Sequence, residues 1–147
     1  MAEAIRQGDV PGIQLRRRRE IPLPLEELWP WLCEPERLAR WLADEVTVEG
    51  GVLRLKSAGQ REERAEIVEL QPPRLLVLAF ERDGWGASTR LTLRLHRILD
   101  GAEADVFHEG FHRLPPALSL PVWEEHRKRW ESALALLAAV VEDASGR

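Results

Sequence analysis

The sequence predicts an α+β fold in which a curved antiparallel sheet of about seven strands wraps around a long C-terminal helix, with two short helices after the first strand. Three observations lead there. From Glu45 to Phe111 apolar and polar residues alternate in short runs broken by Gly, Pro and Asp, the period of half-buried strands. From about Ser119 to Glu142 the period becomes helical, with Trp123, Trp130 and Leu137 in one row, His126, Ala133 or Leu134, and Val140 or Val141 at the alternate positions, and charges opposite. The links between strand runs are too short for crossovers, so neighbours pair antiparallel, and the sheet's apolar face needs the helix as a cover.

The elements follow in order. Residues 1–12 contain Gly8, Pro11 and Gly12 without periodicity and are expected, like 143–147, to be loose ends of a single domain spanning 1–147. Ile13, Leu15 and Ile21 bracket a first strand. Leu25, Leu28, Trp29 and Leu32, then Leu38, Trp41 and Leu42, keep helical spacing. Pro30 lacks the N–H that would bond back to Glu26, and Pro35 suits the first turn of a new helix, so the break is expected around Cys33 and Glu34. "EVTVE" and "VLRL" flank Gly50-Gly51 as a hairpin. "RAEIVEL", "RLLVLAFE", "TRLTLRLHRI" and "AEADVFHEGF" complete a meander of six strands. The final helix is expected to start with Ser119 as N-cap and Pro121 in its first turn, and "RLPPALSLP" before it to act as a lid loop.

Composition excludes several classes of function. A net charge of −4 with interspersed signs gives no whole-molecule field for nucleic acid or an anionic membrane. Cys33 is the only cysteine, so neither an intrachain disulfide nor a CxxC motif exists. No apolar run reaches the roughly 18 residues of a span, and the opening residues lack a signal-peptide pattern, so a cytoplasmic protein without membrane insertion is expected. Arginine outnumbers lysine and asparagine is absent, a bias that either a thermophilic or a GC-rich origin produces.

The string HEGFH, His108 to His112, matches the zinc-protease signature HExxH. That signature works on a helix, where residues four apart grip one ion. Here strand residues precede it, Gly110 interrupts it and two prolines follow. On a strand the two His α-carbons stand about 13 Å apart, and no metal site is expected. There is also no Gly-x-Ser-x-Gly elbow, no phosphate-cradling Gly-rich loop and no cysteine with an assured histidine partner. No cofactor is called for.

Other residues have two readings each. Strand alternation puts Arg17 and Arg19 on the face of Leu15 and Ile21, where a buried arginine needs either a carboxylate or an anionic ligand. His108 and His126 are either satisfied core histidines or ligand contacts. Trp85, between Gly84 and Gly86 in a hairpin loop, either touches a partner, folds over a cavity rim or packs locally.

The runs "IPLPLEELWPWLCEPERLARW", "IVELQPPRLLVLAFE", "VFHEGF" and "HRKRWESALALLAAVVE" together resemble the family of activator of Hsp90 ATPase homologue-like proteins, within the START-like, helix-grip superfamily (SRPBCC). The family's Val-Trp, Asp-Pro-Glu and Trp fall on Leu28-Trp29, Glu34-Pro35-Glu36 and Trp41. Its closing His-x-x-Gly-Trp falls on His126 to Trp130, with Arg129 in place of the glycine. The resemblance implies a cavity between helix and sheet that binds a small apolar or amphipathic molecule, with Arg17, Arg19, Trp41, His108, Trp123, His126 and Trp130 as candidate contacts. It implies two alternatives: a co-chaperone-like module that contacts a chaperone or other protein, with Trp85 at the contact, and a small cavity enzyme of cyclase or hydratase type using His108, His126 or Glu69.

Overall fold

A computed structural model of the protein describes residues 8–59 and 62–144. Its strands are β1 (Gln14–Ile21), β2 (Glu45–Glu49), β3 (Val52–Lys56), β4 (Glu63–Gln71), β5 (Leu75–Arg82), β6 (Thr89–Ile98) and β7 (Gly101–Glu109). They form one antiparallel sheet in the order β1-β7-β6-β5-β4-β3-β2. Because β1 and β2 occupy opposite edges, the chain must cross six strand spacings between them, about 29 Å in a flat sheet. Two helices make that crossing, α1 (Leu25–Cys33) and α2 (Pro35–Leu38). Glu34 between them is extended, as a residue before proline prefers, and Pro35 opens α2 as expected.

The long helix α3 runs from Pro116 to Ala144. It starts a turn earlier than the sequence suggests, and Ser119 is not its cap. Pro116 at the first helical position needs no partner for an N–H, and the Leu118 and Ser119 amides already bond the Pro115 carbonyl. Pro121 therefore lies inside the helix, exposed. The segment expected to be a lid loop instead runs from the last residue of a 3-10 turn, Phe111–Arg113, through Leu114 and Pro115 into the first turns of α3.

One face of the sheet holds Leu15, Leu53, Leu55, Ala65, Leu76, Leu78, Phe80, Leu91, Leu93, Leu95, Ala104 and Val106, all buried. Against it lies the α3 stripe of Trp123, His126, Trp130, Ala133, Leu134, Leu137 and Val141, also buried. The Ala- and Leu-rich half of α3 thus packs solidly. Part of the expected N-terminal tail is tied down: Val10 pairs with Gln14, and Asp9 accepts from the Arg16 amide. Asp143 and Ala144 belong to α3, while 1–7 and 145–147 lie outside the described residues. No helix among the described residues is long and apolar enough to cross a membrane.

Candidate functional site

Alternation and register bring together residues that are far apart in sequence. Phe80 on β5 pairs with Thr89 on β6, and Leu91 with His108 on β7, all facing inward. His126 and Trp130, four apart on α3, descend onto them. His108 stands 5.0 Å from His126 and 4.5 Å from Phe111, ring centre to ring centre. His126 in turn lies 5.6 Å from Phe80 and 6.1 Å from Trp85. The result is an aromatic cluster under the N-terminal half of α3 with both imidazoles fully buried.

The hydrogen bonds fix the state of His108. The Trp130 indole can only donate, and it reaches His108 Nδ1 at 3.1 Å, so Nδ1 accepts and Nε2 carries the proton. Nε2 then donates to Thr89 Oγ at 2.7 Å, and the Thr89 hydroxyl passes its own proton to the Phe80 carbonyl at 3.2 Å. Every polar atom in this chain is satisfied. Burial first, then the charges of Arg129 and Arg82, push the His108 pKa down to about 3, so the ring is neutral.

His126 differs. Its Nδ1 lies 2.9 Å from the Val122 carbonyl, which can only accept, so Nδ1 holds the proton and Nε2 bears a lone pair. That Nε2 is buried and has no hydrogen-bond partner. Burial above all, with His108 and Arg129 adding to it, keeps the ring far below the usual histidine pKa. An orphaned buried acceptor costs about 1–3 kcal/mol, which makes this atom the anomaly of the core.

A buried ionic group seals one side of the cluster. Glu63, 2% exposed, accepts from Arg82 Nε at 2.8 Å and Arg129 Nη1 at 2.6 Å. Arg129 also reaches the Leu42 carbonyl and lies over Phe80, while Arg82 lies over Trp85 and pairs with Glu125.

The expected site residues separate into groups. His108, His126 and Trp130 come together, and Trp85 joins them folded inward: at 4% exposure its indole presents almost nothing to a protein partner. Trp123 is buried with its N–H on the Gln14 carbonyl, and Trp41 likewise on the Trp31 carbonyl, so both have a core role. Arg17 is buried, but its charge is met within the chain by Asp9 at 2.8 Å and Glu131 at 3.3 Å. Arg19, on the same face, is exposed. Glu69 pairs in register with Val77 and so with Thr92 on the outer face, and its carboxylate takes the Gln71 amide; it cannot meet the histidines across the sheet. In HEGFH, His108 is on β7, Gly110 turns the chain at φ 90°, and His112 is exposed beyond it, so no helical face carries both. Sequence reasoning missed Thr89, Phe111, Glu63 and Arg82. Extending the β4 alternation one step back from Arg64 to Glu63 would have flagged a carboxylate on the inner face.

The family model described as "Activator of Hsp90 ATPase homolog 1-like protein" matches residues 22–142. The chain belongs to that family. No curated protein sequence matches it. Solved structures similar to this Hsp90 ATPase activator homologue-like protein include a Rhodobacter sphaeroides protein, 23% identical, TM-score 0.74, covering 92% of this chain and 97% of the other. A Chromobacterium violaceum protein is 24% identical, TM-score 0.72, over 88% of this chain and 96% of the other. DynU16, a protein in the dynemicin biosynthetic locus, is 18% identical, TM-score 0.71, over 88% of this chain but only 47% of that longer chain. At these identities the likeness is one of fold, the helix-grip arrangement of a seven-stranded antiparallel sheet around a long C-terminal helix.

Proposed function

We propose that this family member binds a small apolar or amphipathic molecule carrying one hydrogen-bond donor, at the aromatic cluster between α3 and the sheet. The observation that carries the reading is His126 Nε2, a buried lone pair without a donor, among Phe80, Trp85 and Phe111. Because Nδ1–H is held by Val122, the ring offers an acceptor only, which suits a hydroxyl or N–H and disfavours a bare carbonyl or ether.

Entry requires movement, since the cluster's own side chains fill the space. Displacement of Trp85 would open the cluster. This residue sits between Gly84 and Gly86, whose φ values of 89° and 67° are open to glycine and strained for other residues. Swinging an indole of about 200 Å² into water costs roughly 5 kcal/mol, so only a ligand with a comparable apolar body can take its place. A small polar metabolite does not meet that condition. The apolar-ligand habit of the superfamily and the likeness to a protein in the dynemicin biosynthetic locus are consistent with this reading.

The test is a matched pair. 1-Naphthol and its methyl ether are titrated calorimetrically into the protein and into His126→Phe. The alcohol is expected to bind about tenfold more tightly than the ether to the natural protein, and equally to the variant. Equal affinities in the natural protein, or no binding of either, would remove the proposal.

A further inference from the structure

The opposite face of the sheet carries a groove of about 450 Å³ that plays no part in the cluster. β7 forms its floor with Asp105, Phe107 and Glu109, and β1 and β6 its banks. Arg16 and Arg18 stand on the β1 bank, and Arg90, Arg94 and His96 on the β6 bank. Asp105 is shared at long range by two of these guanidinium groups, Arg16 at 3.5 Å and Arg18 at 3.6 Å, and by the His96 ring at 3.6 Å. Arg90 and Arg94 are exposed and carry no salt bridge among the described residues. In a chain of net charge −4, this groove is locally positive. It also contains unfulfilled hydrogen bonding. Asp105 is 7% exposed, and its Oδ1 meets Arg16 Nε only at 3.5 Å without hydrogen-bond geometry, so each atom has an ion-pair contact but no hydrogen bond.

We infer that this groove binds an extended acidic peptide segment of another protein, running along β7. Three features select that occupant. The two banks are two strand spacings apart, about 10 Å between backbones, which admits a single extended chain but not a helix of 10–12 Å diameter. Arg16 and Arg18, two apart on a strand, are about 7 Å apart, the spacing of carboxylates at alternate positions of an extended peptide. Asp105 Oδ1, held only by the long Arg16 contact, can take a hydrogen-bond donor, which main-chain N–H groups supply and a phosphate or simple carboxylate does not. Phe107 lies under the Arg16 guanidinium at 4.8 Å and so helps to hold that charge in the groove.

The probe is a rhodamine-labelled hexapeptide of alternating Glu and Thr, followed by fluorescence anisotropy at low salt. Saturable binding is expected, weakened at least tenfold by Arg90→Glu with Arg94→Glu and severalfold by Arg90→Glu alone, with naphthol titration and melting temperature unchanged. Methylating alternate peptide nitrogens should also weaken binding severalfold at constant charge. Equal binding to the natural and charge-reversed proteins would overturn the inference. So would indifference to N-methylation, or displacement by an oligonucleotide of equal charge as readily as by unlabelled peptide, since either would reduce the groove to a sink for anions.

Discussion

His108 and His126 are neighbours with the same burial and opposite hydrogen-bond status. For His108 the chain from Trp130 through Nδ1, Nε2 and Thr89 to the Phe80 carbonyl leaves no atom over. Thr89→Val preserves shape and removes the acceptor of Nε2–H, so urea unfolding should register a loss of about 1–3 kcal/mol. A loss under about 0.5 kcal/mol would mean that the Thr89–His108 hydrogen bond does not contribute to the folded state.

Both rings also give stability a pH dependence of definite sign. In the unfolded chain they titrate near 6.5; in the folded protein His108 titrates at about 3 and His126 is likewise depressed. Between those values the unfolded state holds more protons, so the stability present above about pH 6.5 is lost as pH falls toward 3. The groups around them act in the same sense, Arg82 and Arg129 by repulsion, while Glu125, 3.7 Å from His126 Nδ1, opposes them. Each ring contributes at most about 1.4 kcal/mol per pH unit in that window. Unfolding curves at pH 7 and 5 should therefore differ clearly, and His126→Phe should remove a substantial part of the difference. A flat profile would contradict the neutral, buried assignment.

At the level of elements, Glu63, Arg82 and Arg129 tie β4, β5 and α3 together beside the cluster. Glu63→Ala would leave two largely buried guanidinium groups without their shared counter-ion and should cost about 3–5 kcal/mol. Arg129→Ala leaves the Glu63–Arg82 pair intact and should cost clearly less in the same denaturant titration; the reverse order would mean that Glu63 does not hold the group together. The loop of Trp85 makes a kinetic prediction. Trp85→Ala removes the indole that must move aside, so stopped-flow association of 1-naphthol should accelerate, whereas an unchanged rate would place the entry route elsewhere.

These elements also mark what the sequence makes legible. Strand alternation, the Pro35 break and the α3 stripe follow from local period and proline chemistry, and they appear where expected. The start of α3 does not, because two prolines and a serine give competing signals that only the Pro115 carbonyl bonds resolve. Histidines on the inner faces of β7 and α3 are visible as candidates. Their different hydrogen-bond states are not, since these depend on Thr89, Val122 and Trp130 arriving by register and helix pitch. The burial of Trp85 runs against its glycine-flanked loop, because its surface is matched by Phe80 and His126 across the fold.

Across the whole molecule, the two sheet faces have separate chemistry. The inner face is apolar and neutral except for exposed Arg19 on the β1 edge and charges matched within the chain, including Arg17 with Asp9; the outer face carries the arginine groove. A ligand for one face should therefore leave the other undisturbed. The most direct measurement is the imidazole 15N spectrum of labelled protein during addition of 1-naphthol. The account expects the unprotonated Nε2 of His126 to move in the direction of an accepted hydrogen bond, with its Nδ1–H and both His108 nitrogens nearly still. Saturable naphthol binding that leaves His126 Nε2 unmoved, or that moves only His96 on the outer face, would contradict it.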